Sequence, residues 1–189
     1  GYKDESWIND TIELLPRLQR MIAQNYPGLK ISIGEYNFGG EKHPSGAIAL
    51  AETLGRFGQH GVHSAYYWTY PPAGSHAMQA FRAFRNYDGQ GAHFLERTLG
   101  GRGDARTSVY GSRNEAGTEV VAIAVNLDGR EAADTQLDLG ACSGFKLVRA
   151  FQYAGSARGL QPLEGVSLTG GKIKQTLPPF SITVLELKK

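Results

Sequence analysis

The 189-residue sequence is 41% hydrophobic and 20% charged, with a formal net charge of +2, the balance of a globular chain. No apolar run approaches the ~20 residues of a membrane-spanning helix, and the basic residues are dispersed rather than striped along one element, which gives no basis for a nucleic-acid partner. One cysteine, Cys142, excludes an internal disulfide and any cysteine-based metal cluster, and the length suits one ordinary domain or two small ones, of which two are expected.

Taken in order, Gly1-Tyr2-Lys3-Asp4 lacks the basic and apolar regions of a signal peptide and reads as mid-protein sequence. From Glu5 to Tyr26, the residues Trp7, Ile8, Ile12, Leu15, Leu18 and Ile22 recur at helical steps, with Pro16 a possible kink and Pro27-Gly28 a stop. The run Leu29 to Glu35 is a short apolar strand, on which alternation places Ile31, Ile33 and Glu35 on one face. Pro44-Ser45 opens a second helix as far as Gln59, with Ile48, Leu50, Ala51, Leu54 and Phe57 as its packing face. Val62 to Tyr70, aromatic and β-branched and closed by Pro71-Pro72, is a second strand, and Ser75 to Tyr87 a third helix. Strands alternating with helices of this length predict parallel βαβ architecture.

Past Asp88-Gly89 the pattern changes. His93 to Leu99, Ser108 to Ser112, Glu119 to Leu127, Thr135 to Leu139, Lys146 to Tyr153, Lys172 to Leu177 and Ser181 to Leu187 are short segments between turn residues. Such spacing predicts an antiparallel β-sandwich. Val121, Ile123, Val125 and Leu127 alternate with Ala122, Ala124 and Asn126, giving that strand one core face. The boundary between the two domains, 1–90 and 91–189, falls near Tyr87 to Gly91.

Several motifs reduce to structure. Gly-Gly-Arg-Gly at 100–103 leads into β sequence rather than a helix, so it is not a phosphate loop. Arg102-Gly103-Asp104 reads as a turn. The histidines at 43, 60, 63, 76 and 93 form no metal-ligand spacing, and His63, early in its strand, reads as a hydrogen-bonded structural residue. The stretch Ile31 to Gly40 is different, because an apolar strand stops abruptly on a carboxylate and then on flexible residues. Alternation in the second strand puts Ser64, Tyr66 and Trp68 on one face, with Trp68 near the end that corresponds to Glu35. A carboxylate beside an indole is half of what glycosidic-bond hydrolysis requires: one carboxyl protonates the leaving oxygen, another attacks or activates water, and aromatic faces hold the sugar rings. Glu41, past the Gly39-Gly40 turn, reads as a solvated loop charge.

Glu35-Tyr36-Asn37-Phe38-Gly39-Gly40, Leu54-Gly55-Arg56-Phe57-Gly58 and Ala65-Tyr66-Tyr67-Trp68 resemble the closing part of glycoside hydrolase family 44, the endoglucanases and xyloglucanases. Leu177 to Leu187 is similar to the last strand of the sandwich that follows the barrel in this and related families. The resemblance implies the C-terminal part of a (β/α)8 TIM barrel followed by an antiparallel β-sandwich, with residues 1–90 as the last two strand-helix units. It makes Glu35 the nucleophile on the seventh barrel strand and Trp68 the aromatic beneath the sugar on the eighth, with Tyr66, Asn37 and Phe38 lining the cleft. It implies a retaining hydrolase of β-1,4-linked polysaccharide, secreted in the bacterial manner, that requires no cofactor. The family's acid/base glutamate lies on the fourth strand, to which nothing here corresponds, so the expected partner is an upstream portion of the same enzyme. Two other readings stay open: an arabinofuranosidase or xylosidase of the same architecture, and a non-catalytic carbohydrate-binding or structural module.

Overall fold

The computed structural model describes residues 12–140, 144–156 and 158–189; Trp7, Ile8 and Cys142 lie outside them. The first helix, α1, runs over Leu14–Asn25 and buries none of its residues. Pro16 sits in its first turn, where a missing N–H is no loss and no kink results. The parallel pair is β1 (Ser32–Tyr36) and β2 (Ser64–Tyr67), joined through α2 (Pro44–Gln59), and α3 (His76–Arg85) follows. Both of these helices start on caps that the sequence carries. The His43 side chain accepts from the Ser45 N–H ahead of Pro44, and the Ser75 hydroxyl accepts from the Met78 N–H, each occupying a donor that the first turn leaves free.

The second half is all strand: β3 (Arg97–Leu99), β4 (Thr107–Arg113), β5 (Glu119–Asn126), β6 (Ala133–Asp138), β7 (Lys146–Ala154), β8 (Gln161–Pro162), β9 (Leu168–Thr169), β10 (Lys172–Leu177) and β11 (Ser181–Lys188). They form a six-stranded sheet in the order β3-β4-β5-β11-β7-β8 and a three-stranded sheet in the order β6-β10-β9, antiparallel throughout. The antiparallel sandwich is therefore present. Of the predicted His93 to Leu99 strand, only the last three residues pair. Residues 93–96 instead pack the corner, with the Phe94 N–H on the Phe84 carbonyl at 2.8 Å and the Leu95 N–H on the Ser112 hydroxyl at 2.9 Å. Arg102-Gly103-Asp104 is a turn, in which Asp104 Oδ1 accepts from the Arg106 and Thr107 N–H groups, each at 2.8 Å. His63 uses its backbone N–H on the Ile31 carbonyl at 2.9 Å and leaves its side chain exposed.

The single core face expected for β5 is corrected. Val121, Ile123 and Val125 pack with Ile182, Val184, Phe151 and the buried faces of α2 and α3. Val120, Ala122 and Ala124 pack on the other side against Leu137, Ile173 and Leu177 of the small sheet. A strand with no polar residue between Val120 and Val125 has no face to give to water. The two helices in turn touch the parallel pair with their far sides, where Tyr36 meets Phe57 edge-on at 5.2 Å and Tyr67 meets Phe81 at 5.7 Å. The chain is thus layered as parallel pair, helices, large sheet, small sheet.

Tyr87 to Gly91, the expected boundary, is a packed corner. Tyr87 is buried and donates to Glu186 Oε2 at 2.9 Å. The Arg149 guanidinium spans Glu186 at 2.6 Å and Asp88 at 2.8 Å, and lies over the rings of Tyr87 and Phe151. Burial opposes ionisation of Asp88, but the N–H groups of Gln90 and Ala92 and the Arg149 guanidinium outweigh it and hold the carboxyl below its usual range.

On α2, Gly55 lies under the Tyr110 ring, where an added Cβ would stand 2.4 Å from ring carbons, whereas at Gly58 the nearest atom is 3.7 Å away. Gly55→Ala should cost about 1 to 3 kcal/mol through overpacking, while Gly58→Ala should be neutral or stabilise by up to about 1 kcal/mol through helix propensity. Equal denaturation midpoints for the two variants would disprove the close contact.

Candidate active site

The site is built where the two parallel strands end. Ser32 pairs with Ser64, Ile33 with Ala65, and Tyr36 with Tyr67. Between the last two pairs the chain takes three steps on β1, from 33 to 36, and two on β2, from 65 to 67. One residue is extra, so Gly34 and Glu35 together stand opposite Tyr66 in a β-bulge. This corrects the alternation read from the sequence. Ile33 and Tyr36 both lie on the helix face with Ala65 and Tyr67, and the bulge turns Glu35 to the open face with Tyr66. Glu35 is exposed there, and Tyr66 and Trp68 are 61% and 59% exposed.

Past the strands, one last backbone bond joins the two exits, from the Trp68 N–H to the Tyr36 carbonyl at 3.0 Å. The peptide bond Trp68–Thr69 is cis. Beyond this point side chains take over. Asn37 receives the Gly39 N–H on its Oδ1 at 2.6 Å, which orients the amide so that Nδ2 faces acceptors. Nδ2 donates to the Trp68 carbonyl and to Glu41 Oε1, the latter at 3.1 Å. Tyr67 donates its hydroxyl to the same Glu41 oxygen at 3.1 Å. The Glu41 carbonyl accepts from the Ala77 N–H in the first turn of α3 at 3.1 Å. Phe38 is exposed and its ring lies 6.2 Å from that of Tyr36.

The structure thus gathers every predicted site residue, Glu35, Asn37, Phe38, Tyr66 and Trp68, at one end of one strand pair, in unequal postures. Glu35, Tyr66, Trp68 and Phe38 are open to solvent, while Asn37 is committed to structure on both sides of its amide. Glu41 is not the solvated charge that the sequence suggests. Gly39 and Gly40, at φ of 66° and 65°, turn the chain back so that Glu41 reaches Asn37. Its own backbone N–H, then Asn37, then Tyr67 lower its carboxyl below the usual range. Burial, and then the Glu41 carboxylate, push the Tyr67 phenol up to about 12, so the donor keeps its proton. Tyr70, 77% exposed just beyond Trp68, also went unread; its place two residues along from Trp68 was the available signal. Among the described residues no group of three or more His, Cys, Asp or Glu side chains could hold a metal ion, and no helix is long and apolar enough to cross a membrane.

No protein-family model matches the chain. It is 29% identical over 196 residues to Endoglucanase A of Paenibacillus lautus, a match taking in 100% of this chain and 28% of that protein. Among solved structures, CelM2, a bifunctional glucanase-xylanase from a metagenome library, superposes with a TM-score of 0.89 at 30% identity, over 100% of this chain and 36% of the other. A xyloglucanase from glycoside hydrolase family 44 of Paenibacillus polymyxa does so with a TM-score of 0.88 at 27% identity, over 99% of this chain and 38% of the other. The chain spans well under half the length of each of these relatives.

The Glu41 contacts predict a titration. A depressed folded pKa gives stability that is whole above the unfolded value, near 4.5, and that is lost as pH falls through the folded value. Asn37→Ala should move the Glu41 carboxyl upward, towards the ordinary range, when followed by carbon NMR. An unmoved titration would mean that the Asn37 bond does not hold in solution.

Proposed function

We propose that this chain, which over its whole length corresponds to the C-terminal part of a glycoside hydrolase family 44 enzyme, carries the nucleophile of a retaining glycoside hydrolase. Its substrates are β-1,4-linked polysaccharides of the cellulose and xyloglucan type, cut at internal linkages by a secreted enzyme. Residues 1–90 are the last two strand-helix units of a (β/α)8 barrel, and residues 91–189 its sandwich. The reading rests above all on one observation, the bulge that puts Glu35 on the open face at the C-terminal end of β1, opposite an exposed aromatic row. The C-terminal ends of parallel barrel strands are where such folds place their chemistry.

The steps follow from the groups. The Glu35 carboxylate attacks the anomeric carbon as the glycosidic C–O bond breaks, and a second carboxyl donates its proton to the departing oxygen. That second group, now a carboxylate, takes a proton from water, which attacks the same carbon and releases Glu35. Trp68 and Tyr66, with Phe38 beside them, present ring faces to the sugars, and Asn37 borders the cleft. The second carboxyl must lie ~5 to 5.5 Å from the nucleophile. Glu41 is unsuited to that role, because a general acid needs a raised pKa and its hydrogen bonds lower it. An upstream portion that completes the barrel supplies the acid in this reading.

In the assembled enzyme, Glu35→Gln should abolish turnover of carboxymethylcellulose while leaving oligosaccharide binding nearly intact. Trp68→Ala should weaken catalysis by about 1 kcal/mol or more through lost stacking. Near-normal activity of Glu35→Gln would remove Glu35 from the chemistry, and a loss confined to thermal stability would make Trp68 a packing residue. The 189-residue chain assayed without the upstream portion should show no turnover, for want of the second carboxyl. Hydrolysis by it at the rate of the assembled enzyme would mean that both carboxyls lie within this sequence.

A further inference from the structure

We infer that Glu41 is a positioning residue for the sugar-binding end of this site: through Asn37 it fixes the carbonyl of Trp68, and so the attitude of the indole beside Glu35. The inference rests on the reading of Trp68 as a sugar platform. The last ladder bond between the strands is at Tyr36 and Trp68, so the spacing of the two exits beyond it depends on side chains. The Asn37 amide crosses from one exit to the backbone carbonyl of the other at that level, and its orientation is set by Gly39 on one edge and Glu41 on the other. Glu41 is anchored independently of Asn37, by its carbonyl on the Ala77 N–H at the start of α3 and by Tyr67 on β2. One residue therefore ties both strand ends, through its carboxylate, to the helix that its backbone carbonyl meets.

The loop that delivers Glu41 leaves little slack. A Cβ on Gly46, in the first turn of α2, would stand 2.2 Å from the Gly40 carbonyl oxygen, so the Gly39-Gly40 turn is seated against that helix. The Gly40 carbonyl also accepts from the His43 N–H at 2.9 Å. Loss of the Glu41 acceptor would leave the Asn37 amide held by the Gly39 N–H and the Trp68 carbonyl alone, and so loosen the side chain that holds that carbonyl. Misplacement of a binding group by about 1 Å can cost on the order of 100-fold in rate.

The test is a double-mutant cycle on binding, since a residue that acts through another shows non-additive effects. Cellotetraose is titrated calorimetrically into the assembled enzyme carrying Glu35→Gln, with Glu41→Gln, Glu41→Ala and Trp68→Ala added singly and in pairs. Glu41→Ala alone should weaken binding several-fold. In the Trp68→Ala background it should weaken it no further. With Glu35 intact, kcat/KM should fall by about 10-fold for Glu41→Gln, which keeps an acceptor, and by up to about 100-fold for Glu41→Ala. If Glu41→Ala does not fold, Glu41→Gln and Asn37→Ala carry the same cycle. Additive losses, or a Trp68→Ala variant that binds as tightly as its parent, would overturn the inference. Turnover by Glu35→Gln would sink the nucleophile assignment alone and leave the coupling between Glu41 and Trp68 to be read as before.

Discussion

Everything in this chain is arranged around two strands that have no side to give to water. β5 and β11 are buried on both faces, and each face demands a cover. The helices α2 and α3 close one face and the small sheet the other. Because those helices are held by the sheet beneath them, their outer sides form a fixed bed for Tyr36 and Tyr67. The ends of β1 and β2, and with them Glu35 and Trp68, are placed by packing that begins three layers away. A site that must hold its geometry within fractions of an ångström gains from such a foundation.

Where the layers meet, apolar contact gives way to charge. Glu186 is a buried carboxylate on β11, at a cost that isolated burial would make prohibitive. Arg149, Tyr87 and Lys188 all reach it, and Arg149 extends the network to Asp88 at the end of the helical half. A buried ion group is weak evidence for net stability. Its geometric demands are strict, however, and they fix how the corner after α3 approaches the large sheet.

Much of this was legible in the residues. α2 and β10 lie where their patterns put them, since proline, glycine and apolar spacing agree there. The two-residue strands β8 and β9 carry no period and could not be read. The double burial of β5 was half visible: the large residues marked one face, while Ala122 and Ala124 passed for the other, solvated one. Glu35 was found for its position at a strand end, yet on the wrong face, because strict alternation has no place for an extra residue. Glu41 was dismissed for following two glycines. Glycine there was read as freedom, whereas its positive φ is what brings the carboxylate back to Asn37.

The bulge on β1 bears on how such a chain can vary. Sequence change is usually weighed residue by residue, but here the count of residues matters as much as their kind. Deleting Gly34 would restore plain pairing with Glu35 alone opposite Tyr66, still on the open face but without the bend and added twist that a bulge gives its strand, so the carboxylate would be re-aimed with its chemistry intact in composition and displaced in space. An insertion at the same place would do comparable harm. Descendants of this sequence are therefore free to exchange many side chains along the strand while its length between Ile33 and Tyr36 stays invariant.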